Sequence, residues 1–133
     1  MIILILPDEI VAKAIIPALR AMVAKELIEK HGLTQQSAAR LLNVSQAAIS
    51  NYMRGVRGIV VNLEQDKDIQ NIVSKIAEML VNNKDPKDVV SMFNLAIKII
   101  TVHGILCSVH KRFEPIFENC DICIKTISTI PII

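Results

Sequence analysis

The sequence predicts a mainly α protein, and three observations carry that expectation. Apolar residues recur at spacings of three and four over most of the chain. The composition is 52% hydrophobic and 21% charged, which excludes a disordered chain that could not bury enough apolar surface to offset its entropy. Trp is absent, Tyr occurs once and Phe three times, so the core must be aliphatic. That composition also lacks the aromatic stacking platforms of sheet-type binders of single strands and RNA.

Residues 8–31 form the first helical stretch, with Ile10, Val11, Ile15, Leu19, Met22, Val23 and Leu27 at helical spacing. Lys25, Glu26, Glu29 and Lys30 lie elsewhere on the wheel. Pro17 lacks an N–H and crowds the preceding turn, so a kink or two short helices meeting near Ile16 are expected. His31-Gly32 supplies the C-cap. Thr34 caps a second helix carried by Gln35 to Leu42, and Asn43-Val44 is a tight turn with Asn43 at positive φ. Ser45 caps a third helix, Gln46 to about Met53. Residues 54–62 are a Gly-punctuated loop with a short extended piece at Ile59–Val61.

The second half differs. Ile69, Ile72, Val73, Ile76, Met79 and Leu80 line one face of an amphipathic helix over residues 66–82. Asp85-Pro86 opens another, with Asp as N-cap and Pro at the first position. Running to about Phe113, that helix is apolar on more than one face, which predicts burial in its own core or against a partner chain. The termini, Ile2–Leu6 and Ile124–Ile133, read as short strands that could pair. Residues 1–62 are therefore expected to be one domain and residues 63–133 a helical dimerisation or regulatory region.

Net charge is +2, and its distribution is more informative than its sum. Residues 33–62 hold Arg40, Arg54 and Arg57 and no Asp or Glu, whereas residues 63–133 sum to −1. An acid-free window beside a neutral remainder suits a modest polyanion contact. No apolar run approaches the roughly 20 residues of a membrane span. The opening apolar run lacks a basic flank and a cleavage site, so it is no secretory signal. Three cysteines, an odd count, fit a reducing compartment, and the expected location is cytoplasmic.

Residues 33–55 make a helix-turn-helix. Ala39 sits where two helices cross steeply, and Leu42, Val44 and Ile49 fill the small core beneath the turn. Ser45, Gln46, Ala47, Ser50, Asn51 and Arg54 remain for the outer face of the third helix. Their amides and hydroxyls can pair with base edges in the major groove, while Thr34 and Gln35 open the second helix, where N–H groups favour a phosphate. The candidate double-stranded DNA contacts are thus Thr34, Gln35, Ser45, Gln46, Ala47, Ser50, Asn51, Arg54 and Arg57. Two short helices about a turn are also a common way to pack helices without DNA. A protein–protein interaction module is the alternative, separable from a DNA binder by salt-sensitive retention of random duplex.

Leu33-Thr-Gln-Gln, Ala38-Ala39 and Leu42-Asn-Val-Ser-Gln-Ala-Ala-Ile-Ser-Asn-Tyr52 resemble the Xre/Cro-type helix-turn-helix regulators. Leu6-Pro-Asp-Glu-Ile-Val11, Ile16-Pro-Ala-Leu-Arg20 and Arg57-Gly58 are similar to a group of archaeal predicted transcriptional regulators. The resemblance spans roughly residues 6–60 and implies sequence-specific binding of double-stranded DNA by a homodimer. Some members carry an appended ligand domain related to thiamine phosphate, for which this chain has no room. Departures are Asn43 for the usual Gly, and Asp8 where relatives often have Cys.

Cys120-x-x-Cys123 has metal-knuckle spacing, and Cys107 and His103, four apart, would share a helix face. A zinc or iron–sulfur site on Cys107, Cys120, Cys123 and His103 therefore stands beside plain apolar packing of the cysteines. No nucleophile–base pair, phosphate-binding glycine loop or paired-carboxylate setting points to an enzyme. Asp66-Lys-Asp68 and Asp85-Pro-Lys-Asp88 read as acids favoured by the dipole at helix starts.

Overall fold

The structure, a computed structural model, describes residues 5–54, 63–113 and 122. Among these the fold is helical, and no strand occurs. The chain enters α1 (Pro7–Ile10) with Pro7 at its first position, and Glu9 Oε1 accepts the Leu6 N–H at 3.1 Å. A π-helical segment, Val11–Ile15, then leads directly into α2 (Ile16–Glu29). The disturbance expected near Ile16 takes the form of this segment rather than a break. The Ile16 N–H reaches back to the Val11 carbonyl, five residues instead of four. Widening the turn just ahead of Pro17 makes room for a ring that would otherwise meet the preceding turn.

Buried side chains surround α2. Ala18, Leu19, Ala21, Val23, Ala24 and Leu27 are all buried and spread widely around the helix, with Lys25 and Glu29 left exposed. The chain leaves α2 through Gly32 at φ +68°, and the Leu33 N–H bonds back to the Leu27 carbonyl at 3.1 Å. Helices α3 (Gln35–Leu42) and α4 (Gln46–Arg54) follow, as their caps predict. Asn43 between them is left-handed, φ 55° and ψ 46°, and the Val44 N–H closes the turn onto the Ala39 carbonyl at 3.0 Å. Ala39 and Leu42 are buried, Val44 is half-buried, and Ile49 is fully enclosed.

Asp66 caps α5 (Lys67–Val81), its Oδ1 accepting the N–H groups of Asp68 (3.0 Å) and Ile69 (3.3 Å). Ile69, Ile72, Val73 and Ile76 form the buried stripe that the sequence predicts. Asp85 caps α6 (Pro86–Val102) by accepting the Lys87 N–H at 2.9 Å. The helix expected to continue to Phe113 does not. It stops at His103, Gly104 takes φ +78°, and α7 (Ile105–Phe113) departs at a bend of 66°. Glycine makes that elbow affordable, because a positive φ strains any residue with a Cβ. The apolar surplus of the single long helix is thereby divided. Val89, Ala96, Ile100, Leu106 and Val109 are buried, whereas Val90, Leu95 and Val102 are exposed.

Packing runs in a circuit. α2 contacts α3, α4 and α5; α5 contacts α6; α6 meets α7, and α7 meets α1. One aliphatic cluster links Ile15, Leu19 and Leu27 with Ile49, Ile69, Ile76 and Ile100. No single helix among the described residues is long and apolar enough to cross a membrane. The strands expected at 124–133 and at Ile59–Val61 lie outside the described residues, as does Ile2–Leu6 apart from Ile5 and Leu6; the backbone at Leu6 is extended.

The left-handed turn gives a stability prediction. Asn43→Gly should be neutral or slightly stabilising, because Gly reaches φ 55° without strain. Asn43→Val should lose about 1–2 kcal/mol, the penalty of placing a Cβ-branched residue there. Thermal unfolding of both variants checks this, and equal midpoints for wild type and the Val variant would contradict it.

Candidate nucleic-acid interface

The turn sets the angle between α3 and α4, and Ala38, Ala39 and Ile49 fix it by burial on the inner side. What remains outward on α4 is short and polar. Ser45, Gln46 and Ala47 are exposed at its N-terminal end, Ser50 and Asn51 are half-buried along its flank, and Arg54 is exposed at its last residue. The Ser45 hydroxyl oxygen accepts the Ala48 N–H at 3.1 Å, so Ser45 is a helix cap as well as a surface residue. Arg54 Nη2 donates to Asn51 Oδ1 at 2.6 Å, joining the amide and the guanidinium one turn apart.

Thr34 and Gln35 stand at the start of α3. Thr34 Oγ1 accepts the Ser37 N–H and its hydroxyl donates to Ser37 Oγ, both at 3.1 Å. Thr34 is exposed and Gln35 is half-buried. The first N–H groups of any helix have no preceding carbonyl, so this terminus carries the positive end of the dipole. From Leu33 to Arg54 no carboxylate occurs to oppose it, and Arg40 is exposed in the last turn of α3. Arg57 lies outside the described residues.

The cysteine–histidine set comes together differently from its spacing. The bend at Gly104 puts His103 at the end of α6 and Cys107 inside α7, so they do not share a face of one helix. Cys107 is half-buried, and Cys120 and Cys123 lie outside the described residues. His103 turns instead to the start of α5. Its Nδ1 stands 2.5 Å from Asp66 Oδ2, and its Nε2 stands 3.6 Å from Asp68 Oδ2. By sequence these aspartates are only helix-start acids. A pairing across 37 residues depends on the elbow, and the one local signal for it is the Gly after His103.

Residues 25–59 match the helix-turn-helix family, a family of DNA-binding regulators. The match begins in the last turns of α2, takes in α3, the turn and α4, and covers about a quarter of the chain. Geometry and match thus agree on the class of this segment, a helix-turn-helix of the DNA-binding kind. No curated protein and no solved structure matches the chain.

The His103 pair should be visible in the pH dependence of stability. The hydrogen bond to Asp66 holds the imidazole above its ordinary value, against a smaller opposing effect of burial. The same hydrogen bond holds the Asp66 carboxyl below its ordinary range. The raised histidine stabilises fully below the ordinary imidazole value of about 6.5 and loses that contribution as pH rises through its folded value. The lowered aspartate stabilises above about 3.9 and loses its contribution as pH falls further. In chelator-containing buffer, the wild type should therefore melt above His103→Gln by the widest margin between about pH 4 and 6.5, and the margin should narrow toward alkaline pH. A margin that grows as pH rises would contradict the pairing.

Proposed function

We propose that the protein is a sequence-specific regulator that binds double-stranded DNA as a homodimer, with α4 in the major groove. The observation that carries this reading is the outer side of α4: exposed or half-exposed hydroxyl and amide groups, no acid, and an arginine at the end. Gln46 and Asn51 suit the paired acceptor and donor on adenine, and Ser45 to Ala47 enter first. The start of α3, with Thr34 and Gln35, suits a backbone phosphate, and so do Arg54 and Arg57. Residues 1–62 supply the DNA contacts and residues 63–133 the association of two chains. A protein–protein role would not need a surface that avoids acids across thirty residues.

Dimerisation gives the exposed apolar side of α6 a purpose. Val90, Leu95 and Val102 are 57%, 43% and 44% exposed, and Leu95 and Val102 are two turns apart on one side. Two copies would also carry two recognition helices, about 34 Å apart on one side of the duplex, the spacing that successive major grooves require.

Selecting bound duplexes from a random pool gives the preferred site. On that site Gln46→Ala should lose about 1–3 kcal/mol and relax preference at one base pair, with non-specific binding nearly intact. Arg54→Ala should weaken all duplexes alike and reduce the slope of log affinity against log salt by about 1 per site. No salt-sensitive retention of any duplex by the wild type would overturn the DNA reading.

Sedimentation equilibrium tests the dimer separately. The wild type should give twice the 14.8 kDa of one chain at micromolar concentration. Leu95→Glu should give one chain with its melting temperature nearly unchanged, because Leu95 lies outside the core cluster. A wild-type mass near 14.8 kDa would sink the dimer.

A further inference from the structure

Three groups from two distant stretches converge where α5 begins and α6 ends. The ligand atoms of Asp66, Asp68 and His103 all lie within 4.8 Å of one another. Asp66 is held in place from behind, since its Oδ1 accepts two backbone N–H groups of the α5 cap and leaves Oδ2 toward the imidazole. His103 is delivered by the elbow at Gly104. Asp68, 65% exposed, completes the group from the solvent side. Its Oδ2 is 3.6 Å from His103 Nε2, too far for a hydrogen bond. Two ligand atoms bound to one ion at about 2.1 Å each stand roughly 3–4 Å apart, so that gap is of the size an ion spans.

Charge points the same way. With the imidazole neutral, two carboxylates face each other across the ring with no cation between them, and a dication restores neutrality. We propose that Asp66, Asp68 and His103 form a binding site for a divalent first-row metal ion of the manganese-to-zinc series. One imidazole and two carboxylates are hard-to-borderline ligands, unlike the thiolates of the cysteine set, and they select against cuprous copper. The solvent side is open, so water fills the remaining positions. The ion takes Nε2 beside Asp68 while Asp66 keeps its hydrogen bond to Nδ1 and orients the ring, so binding ties the first turn of α5 to the α6–α7 elbow.

Manganese(II) is the discriminating probe, because it disfavours thiolates and its bound water enhances proton relaxation. The full chain, stripped with chelator and then desalted, is titrated with manganese(II) chloride at about pH 7.5, where neutral imidazole is accessible. Water relaxation should rise to saturation at one ion per chain, and the His103 ring signals should broaden. Asp66→Asn keeps an equally good helix cap while removing the carboxylate, and Asp68→Asn alters only an exposed group. Each of these, and His103→Gln, should weaken binding by at least roughly tenfold with the circular dichroism spectrum unchanged. Cys107→Ser should leave the curve where it was. Relaxation that never saturates, or that saturates equally in wild type and all three ligand variants, overturns the site.

Discussion

Every part of this fold depends on the burial of α2. It contacts α3 and α4 on one side and α5 on another, so the helix-turn-helix and the second half of the chain share one support. Its alanines make this arrangement possible. Ala18, Ala21 and Ala24 let neighbouring helices approach closely, while Leu19, Val23 and Leu27 fill the space between them. A core without Trp and with little other aromatic content must gain its stability from many small, well-fitted aliphatic contacts. Polar contacts reinforce the joint: Ser74 on α5 donates to Glu26 Oε1 at 3.2 Å, and Lys30 pairs with that oxygen at 2.9 Å. A substitution enlarging any of these alanines would disturb the helix-turn-helix and the second-half helices together.

Much of this was legible in the sequence, and for local reasons. The boundaries of α3 and α4 follow from Thr34, Asn43 and Ser45, and the starts of α5 and α6 follow from Asp66 and Asp85-Pro86, because caps act within one turn. The extent of burial around α2 was less legible. Periodicity points to residues 85–113, where large apolar residues crowd several faces, but the structure surrounds α2. Alanine adds little to a hydrophobic stripe yet permits burial on every side, so its role emerges only from packing. The elbow at His103-Gly104 is the second case. A glycine inside an apolar helix is tolerated or turned according to what lies around it, and here the turn lets α7 reach α1.

The same elbow decides the company His103 keeps. Continued helix would have kept His103 and Cys107 one turn apart on a common face. The turn sends the imidazole to the carboxylates at the start of α5 instead. The stretch that leaves α4 rejoins the described fold at Leu63, three residues before Asp66.

The Asn51–Arg54 hydrogen bond sharpens how the α4 face would read DNA. At 2.6 Å it is a charge-assisted contact that takes one of the two lone pairs of the amide oxygen, leaving the other and the amide N–H groups to act. An Asn reading adenine needs one lone pair of its oxygen and one N–H, so bidentate recognition by Asn51 is compatible with the bond from Arg54. The guanidinium keeps further N–H groups for a phosphate, so one arginine can steady the amide and meet the backbone together. On the proposed reading, Arg54 thus orients Asn51 while it positions the backbone, whereas Gln46, exposed at the opposite end of α4, does not depend on Arg54. Loss of the arginine would then remove a backbone contact common to all duplexes and the partner that steadies the Asn51 amide, so affinity would fall for every duplex.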